Sequence, residues 1–422
     1  MTSFWRIFSL EWKTLLRSRT LLLLVLASFA WIAALPFVLK NDGTADGSAE
    51  LFVRYALGGV LALTVVALVA AATGSISRER TAGRLQLTLV RPVTRFSVVY
   101  ARFLALLAAA AVTIGLTSPF VLLRISPSRG CYHVVKPVLE SPREEAERMY
   151  EVFMNDPNTS DEVRKAPKPV VIRLLTQRAF DHYQTILTNT CASWTFDPVR
   201  FAGADIDDLA VRIRFTNQFN VRQDVRGVFR FEDGVALVTN ITQAVLTVPF
   251  VRSGSVVTNA VGSLVFENHG VGALMLRPRR DLDLLSPGDS FVANLFRAEL
   301  EMLSVVAVLI AFSLFLGVSL GRACAAFTAF AVLLVMLMSP SVVEQYPDQL
   351  EKNRIDRIGL WIVRSAESVT RPVSSLAPLE ALARDEAVEW DEALSSFLSL
   401  AVISPLVLSL LAAFVLPRKT QG

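Results

Sequence analysis

Cysteine and histidine are scarce: the 422-residue chain holds three of each. His133, His182 and His269 do not stand at metal-ligand spacing, and no H-E-x-x-H motif occurs, so no metal centre is expected. There is no G-x-S-x-G elbow, and nothing points to a hydrolase. There is no G-x-x-x-x-G-K-[ST] sequence either. The chain is therefore expected to bind no nucleotide through a P-loop, and any ATP-driven process would need its motor on another polypeptide. Charge is thin as well, at 19% Asp, Glu, Lys and Arg against about 25% in soluble domains. The long apolar runs carry no charge at mid-depth, which argues against ion-coupled transport and intramembrane proteolysis.

What is present in excess is apolar sequence: 53% of residues, with a mean hydropathy of +0.47. The excess is gathered into blocks. A helix needs roughly 20 apolar residues to cross about 30 Å of hydrocarbon, and six blocks reach that length. They are 21–39, 55–73, 98–123, 302–320, 323–342 and 397–416. The first is too long for a signal-peptide core and lacks a small-x-small cleavage site, so it reads as an uncleaved anchor. Arg102 lies near the start of the third block, where it can snorkel to the interface.

Charge orients the spans. With six crossings, one side receives residues 1–20, the loop between the second and third spans, Arg322 and the last residues. That side holds Arg6, Lys13, Arg17, Arg19, Arg78, Arg80, Arg84, Arg91, Arg95, Arg102, Arg322, Arg418 and Lys419, and as acids only Glu11 and Glu79. The opposite side is balanced or acidic, most clearly in the loop 343–394. Both termini are thus expected in the cytoplasm and the large insert outside it. The basic character is a topology signal and not one for nucleic acid.

The predicted fold class is a polytopic α-helical membrane protein of six spans with an inserted extracytoplasmic α+β domain. Residues 1–124 comprise an interfacial helix and spans one to three. Residues 125–296 form the insert, with a helical part at 141–190 and a β-sandwich or jelly roll at 191–290. Residues 297–422 comprise spans four to six. In the helical part, Ser141-Pro142 followed by acids marks a helix start, and Ile172, Leu175, Ala179 and Tyr183 share one face. The β part alternates through "LAVRIRFTN", "VRGVFRFEDG", "VALVTNITQAVLTVPF", "SLVFENHG" and "GALMLRPRRDLDLL", punctuated by Asp-Gly and Ser-Gly turns.

Several residues are candidates for function. Cys131 and Cys191 both fall in the insert, where an oxidising compartment would allow a disulfide; two unrelated thiols is the other reading. "DIDD" at 205–208 and "DLD" at 281–283 can supply calcium oxygens but read better as solvated turns. Arg297, Glu299 and Glu301 sit at the mouth of the fourth span, either as an interfacial charge cluster or as a substrate gate. In "SFWRIFSLEWKTLLRSRT", Phe4, Phe8, Trp12, Leu15 and Leu16 fall on one helical face, with Arg6, Lys13 and Arg17 mostly opposite. That is an interfacial amphipathic helix.

Between the second and third spans lies "ISRERTAGRLQLTLVRPVTRF". Gly83 and Pro92 can bound a short helix, in which Leu85 and Leu89 are i,i+4 neighbours able to enter a partner together. Positive charge alone would fix topology; the leucine spacing is what topology leaves unexplained.

Together these features resemble the ABC-2 family of exporter permeases. The resemblance is carried by Ser77, Arg78, Glu79, Arg80, Gly83, Leu85, Leu87, Leu89, Pro92, Val93, Arg95, Arg102 and Phe103, by the amphipathic first segment, and by the six-span layout. It covers the first third of the chain well and the last three spans only by layout, and the large insert departs from the family's simplest members. It implies a permease subunit in a bacterial inner membrane, with a coupling helix within 78–95. In that role Arg78, Glu79, Arg80, Gly83, Arg84, Leu85, Leu89, Pro92 and Arg95 would contact an ATPase. It further implies two ATPase copies that carry ATP and magnesium, a second permease chain of the same or related sequence, and room for an extracytoplasmic accessory protein. This chain would itself hold no cofactor. The alternative is a membrane-anchored extracytoplasmic binding or assembly protein that transports nothing.

Overall fold

The computed structural model of the chain describes residues 2–17, 19–39, 45–81, 94–125, 130–139, 142–155, 167–180, 184–197, 206–214, 226–239, 245–252, 262–270, 274–332 and 377–416. They fall into two compact units, one of residues 1–131 with 289–422, the other of residues 132–288.

The first unit is helical. Helix α1 (Thr2–Arg17) precedes α2 (Thr20–Val38), α3 (Ala45–Thr81) and α4 (Arg95–Leu122). Among the described residues five helices are long and apolar enough to cross a membrane: 20–38, 47–76, 95–122, 291–319 and 390–415. This is the make-up of a polytopic membrane protein. Two departures from the sequence reading stand out. The fourth apolar helix starts at Phe291, eleven residues before the hydropathy block, because its polar residues find partners and do not have to be left outside. The expected fifth span is described only as a helix over Arg322–Val332; the rest of 323–342 lies outside the described residues.

Two apolar cores fill this unit. One gathers Leu21, Val69, Ile76, Phe103, Leu106, Ile310, Leu314 and Leu416. The other gathers Ile32, Phe52, Leu57, Ile114, Phe291, Leu295, Met302 and Leu382. Small residues set the spacing. A Cβ built on Gly317 would lie 2.9 Å from the Thr73 carbonyl oxygen, so the helix at 291–319 and α3 meet backbone to backbone, as small residues allow in apolar bundles. Gly59 leaves the slot that receives the Trp31 indole, whose Nε1–H donates to the Tyr55 carbonyl at 2.9 Å.

The second unit starts within β1 (Gly130–Val135), then α5 (Pro142–Asn155) and α6 (Lys168–Phe180). The two helices pack through Ala146, Val171 and Leu175, flanked by Tyr150 and Ile172, so the predicted Ile172/Leu175 face does meet a partner. Strands follow: β2 (Gln184–Ile186), β3 (Cys191–Thr195), β4 (Ala210–Arg214), β5 (Arg226–Phe231), β6 (Gly234–Thr239), β7 (Val245–Pro249), β8 (Val251–Arg252), β9 (Ser263–Asn268) and β10 (Leu274–Leu276). A four-residue helix α7 (Pro278–Asp281) leads into β11 (Leu282–Ser290).

One sheet has the order β1-β11-β4-β7, another β3-β9-β5-β6-β8, and β10 pairs with β2. Phe229, Phe231, Phe266 and Leu264 of the five-stranded sheet share one core with Val211, Ile213, Leu282 and Leu284 of the four-stranded sheet. The strand patterns read from sequence are present, with corrections. "VALVTNITQAVLTVPF" is two strands in different sheets, β6 and β7. The region read as helical to 190 ends at Phe180 and turns to strand at Gln184.

Candidate functional site

The residues singled out for coupling fall mostly beyond the described structure. Arg78, Glu79 and Arg80 extend α3, whose backbone stays helical to Thr81. Gly83, Arg84, Leu85, Leu89 and Pro92 lie outside the described residues. The chain is described again at Thr94, which caps α4: its side chain accepts from the Ser97 N–H at 3.3 Å. Arg95 then reaches across the bundle, its Nη1 donating to the Leu416 carbonyl at 3.1 Å.

Two turns further on, Arg102 departs from the expectation. It does not snorkel to water but is 3% exposed, and its Nε lies 2.9 Å from Oε1 of Glu11 on α1. Burying a guanidinium unpaired is costly, and a carboxylate within hydrogen-bond distance offsets that cost. The pair therefore dictates which way α1 faces. Phe4, Phe8, Trp12 and Leu15 turn partly inward, and Trp12 and Leu15 join the apolar core that includes Phe103. Phe4 stacks near Tyr100, with ring centroids 6.3 Å apart, and Tyr100 packs between Phe96 and Phe103. Leu16, read from sequence as part of the inward face, is exposed, as are Trp5 and Leu10. Because Glu11, the single acid of α1, is spent inward, the outward face presents Arg6, Lys13 and Arg17 with no counter-charge from the same helix.

The expected gate residues sit on α8 (Phe291–Ser319), capped by Ser290. Further on come α9 (Arg322–Val332), α10 (Ala377–Ala383) and α11 (Trp390–Val415). Phe291, Leu295, Ala298 and Met302 follow helical spacing into the core. The adjacent face carries Asn294 and Arg297, both buried. Asn294 is saturated: Nδ2 donates to the Glu386 carbonyl at 2.8 Å and to Cys131 Sγ at 3.2 Å, and Oδ1 accepts from the Val388 N–H at 2.7 Å. Arg297 donates from Nη1 to the Val388 carbonyl at 3.0 Å, pairs with Asp289, and lies 4.8 Å over the Trp390 ring. These two side chains clamp the 386–390 segment onto α8. Arg54 with Glu380 at 2.9 Å fastens α10 to α3 in the same way. Arg297 is thus committed to holding structure. Glu299 bonds Ser118 of α4, and half-buried Glu301 is within electrostatic reach of Glu392 on α11.

Cys131 and Cys191 correct the disulfide expectation. Both are thiols; Cys131 is buried against Asn294, whereas Cys191 is exposed on β3. Of the acidic turns, Asp207 accepts from the Arg252 N–H at 2.9 Å, Asp281 pairs with Arg277 at 3.2 Å, and buried Asp283 pairs with Lys136. These carboxylates serve the fold. Among the described residues no cluster of three His, Cys, Asp or Glu side chains is placed to hold a metal ion.

Sequence reasoning missed Asn294 and the pairing of Glu11 with Arg102. The missing signal was the polar residue at core spacing: Asn294 and Arg297 are three apart in a run whose apolar neighbours recur at helical period.

No family model matches the chain, and neither the curated proteins nor the solved structures include a match. Its class therefore rests on its own architecture, a polytopic membrane protein carrying a β-sheet unit.

Proposed function

We propose that the chain is the membrane-spanning permease subunit of an ATP-driven exporter of the ABC-2 type, moving cargo across a bacterial inner membrane with energy from a separate ATPase. The observation that carries this reading is the first helix. It is amphipathic, it is fastened by its single acid to Arg102 within the resembling segment, and it turns an uncompensated basic face outward. A segment that served topology alone would need positive charge but not a helix pinned to the third apolar helix. Two permease chains would form the pathway. Two ATPase chains would dock at 78–95, with Leu85 and Leu89 entering a groove on the partner. The unit 132–288, with its own core, would receive cargo or an accessory protein on the opposite side.

Affinity purification of the full chain from its native membrane tests the proposal. It is expected to retain a P-loop ATPase, and Leu85→Asp with Leu89→Asp is expected to release it. Retention of the ATPase by that double variant refutes the docking assignment. The self-contained core of 132–288 also suits a membrane-anchored binding protein. On that second reading no ATPase is retained and the unit alone captures its ligand.

A further inference from the structure

We propose that the first three turns of α4 are a mechanical junction that ties α1 and the end of α11 into one body, with Glu11, Arg95 and Arg102 as positioning residues. Resting on the exporter reading, this body passes the ATPase's stroke into the bundle.

Arg95 and Arg102 are seven residues apart, two helical turns or about 10.5 Å along one stripe of α4. Each fastens a different element. Arg95 donates to the Leu416 carbonyl, at the end of α11 where the helix dipole favours a cation. Arg102 holds Glu11 of α1. A second stripe, Phe96, Tyr100 and Phe103, stacks ring on ring and takes Phe4 of α1 at its edge. Polar fastenings fix register, and the rings supply apolar area that tolerates sliding. The Glu11 carboxylate opposes sliding, since a buried guanidinium that loses its counter-charge is costly. A displacement entering α4 at Thr94 therefore moves three elements together. With the pair cut, α4 moves while α1 stays behind.

The test uses the full chain in lipid nanodiscs, read by hydrogen exchange. Glu11→Gln is expected to speed exchange across residues 2–17 by about 10- to 100-fold and leave 226–268 unchanged. Glu11→Asp, and the swap Glu11→Arg with Arg102→Glu, are expected to stay within about threefold of the parent. Arg95→Gln, which leaves the buried pair intact, is expected to loosen only the last turn of α11. Unchanged exchange at 2–17 in Glu11→Gln overturns the junction. So does a swap as loose as the single variant. With the ATPase co-reconstituted, Glu11→Gln is expected to keep the ATPase bound while the chain's stimulation of ATP hydrolysis falls at least about fivefold, restored by the swap. Loss of the ATPase, or stimulation equal to the parent's, overturns the positioning role. If the parent chain retains no ATPase, the exporter reading fails, and the exchange data decide the junction by themselves.

Discussion

Replacing Asn294 by leucine isolates how the 386–390 segment is held. The side chain is fully buried, and leucine has the same branched arrangement of four side-chain heavy atoms with bulkier ends, so no cavity opens. What is lost is bonding. The Glu386 carbonyl loses a donor at 2.8 Å and the Val388 N–H loses an acceptor at 2.7 Å. A buried backbone group left without a partner costs about 1–3 kcal/mol; the Val388 N–H is such a group, whereas the Glu386 bond is part-buried and its loss costs about 1 kcal/mol or less, so the two give roughly 1–4 kcal/mol. The weaker contact to Cys131 adds little. The side-chain area gained by leucine returns about 1–2 kcal/mol, leaving a net loss of up to about 3 kcal/mol. Thermal unfolding in detergent is expected to fall by a few degrees, and limited proteolysis is expected to cut within 384–390 before anywhere else in 289–332 and 377–416. A variant as stable as the parent, with 384–390 still protected, refutes the assignment of Asn294 as the clamp.

Other expectations follow from single contacts. Gly317→Ala places a methyl 2.9 Å from the Thr73 carbonyl, and overpacking of this kind costs about 1–3 kcal/mol; thermal unfolding with no loss contradicts the backbone-to-backbone approach. Cys191 is exposed and Cys131 buried, so a membrane-impermeant maleimide is expected to label the former and spare the latter, with identical mobility on reducing and non-reducing gels; a mobility difference restores the disulfide. Lys136→Met leaves buried Asp283 with one cation fewer. Because Lys136 is itself 47% exposed, the cost is expected below that of breaking a fully buried pair, about 1–3 kcal/mol, and hydrogen exchange through β11 and β4 checks it.

The apolar helices were legible because their excess of hydrophobic residues arrives in runs, and a run of that length has few alternatives. The α1 face was legible from spacing, down to Phe4, Phe8, Trp12 and Leu15. Leu16 was misplaced because a 100° periodicity does not say how wide the buried face is; Glu11 and its partner decided that. Arg102 was unreadable for a similar reason. Its partner is 91 positions away, and a lone arginine near a span end reads equally as snorkelling or paired. The start of α8 was hidden by Asn294, Arg297, Glu299 and Glu301, which lower local hydropathy although Asn294, Arg297 and Glu299 find partners inside the unit. In the β unit, alternation located the strands, but the hand-over of the chain from β6 to β7 between sheets depends on pairing partners far apart in sequence.

The exporter reading stands or falls on coupling. ATP hydrolysis by the retained ATPase is to be measured in proteoliposomes, with the parent chain and with Leu85→Asp, Leu89→Asp. The account predicts hydrolysis that depends on the permease and drops to the rate of the ATPase alone in the double variant. A chain purified from its native membrane with no P-loop ATPase, or hydrolysis unaffected by the double variant, contradicts it.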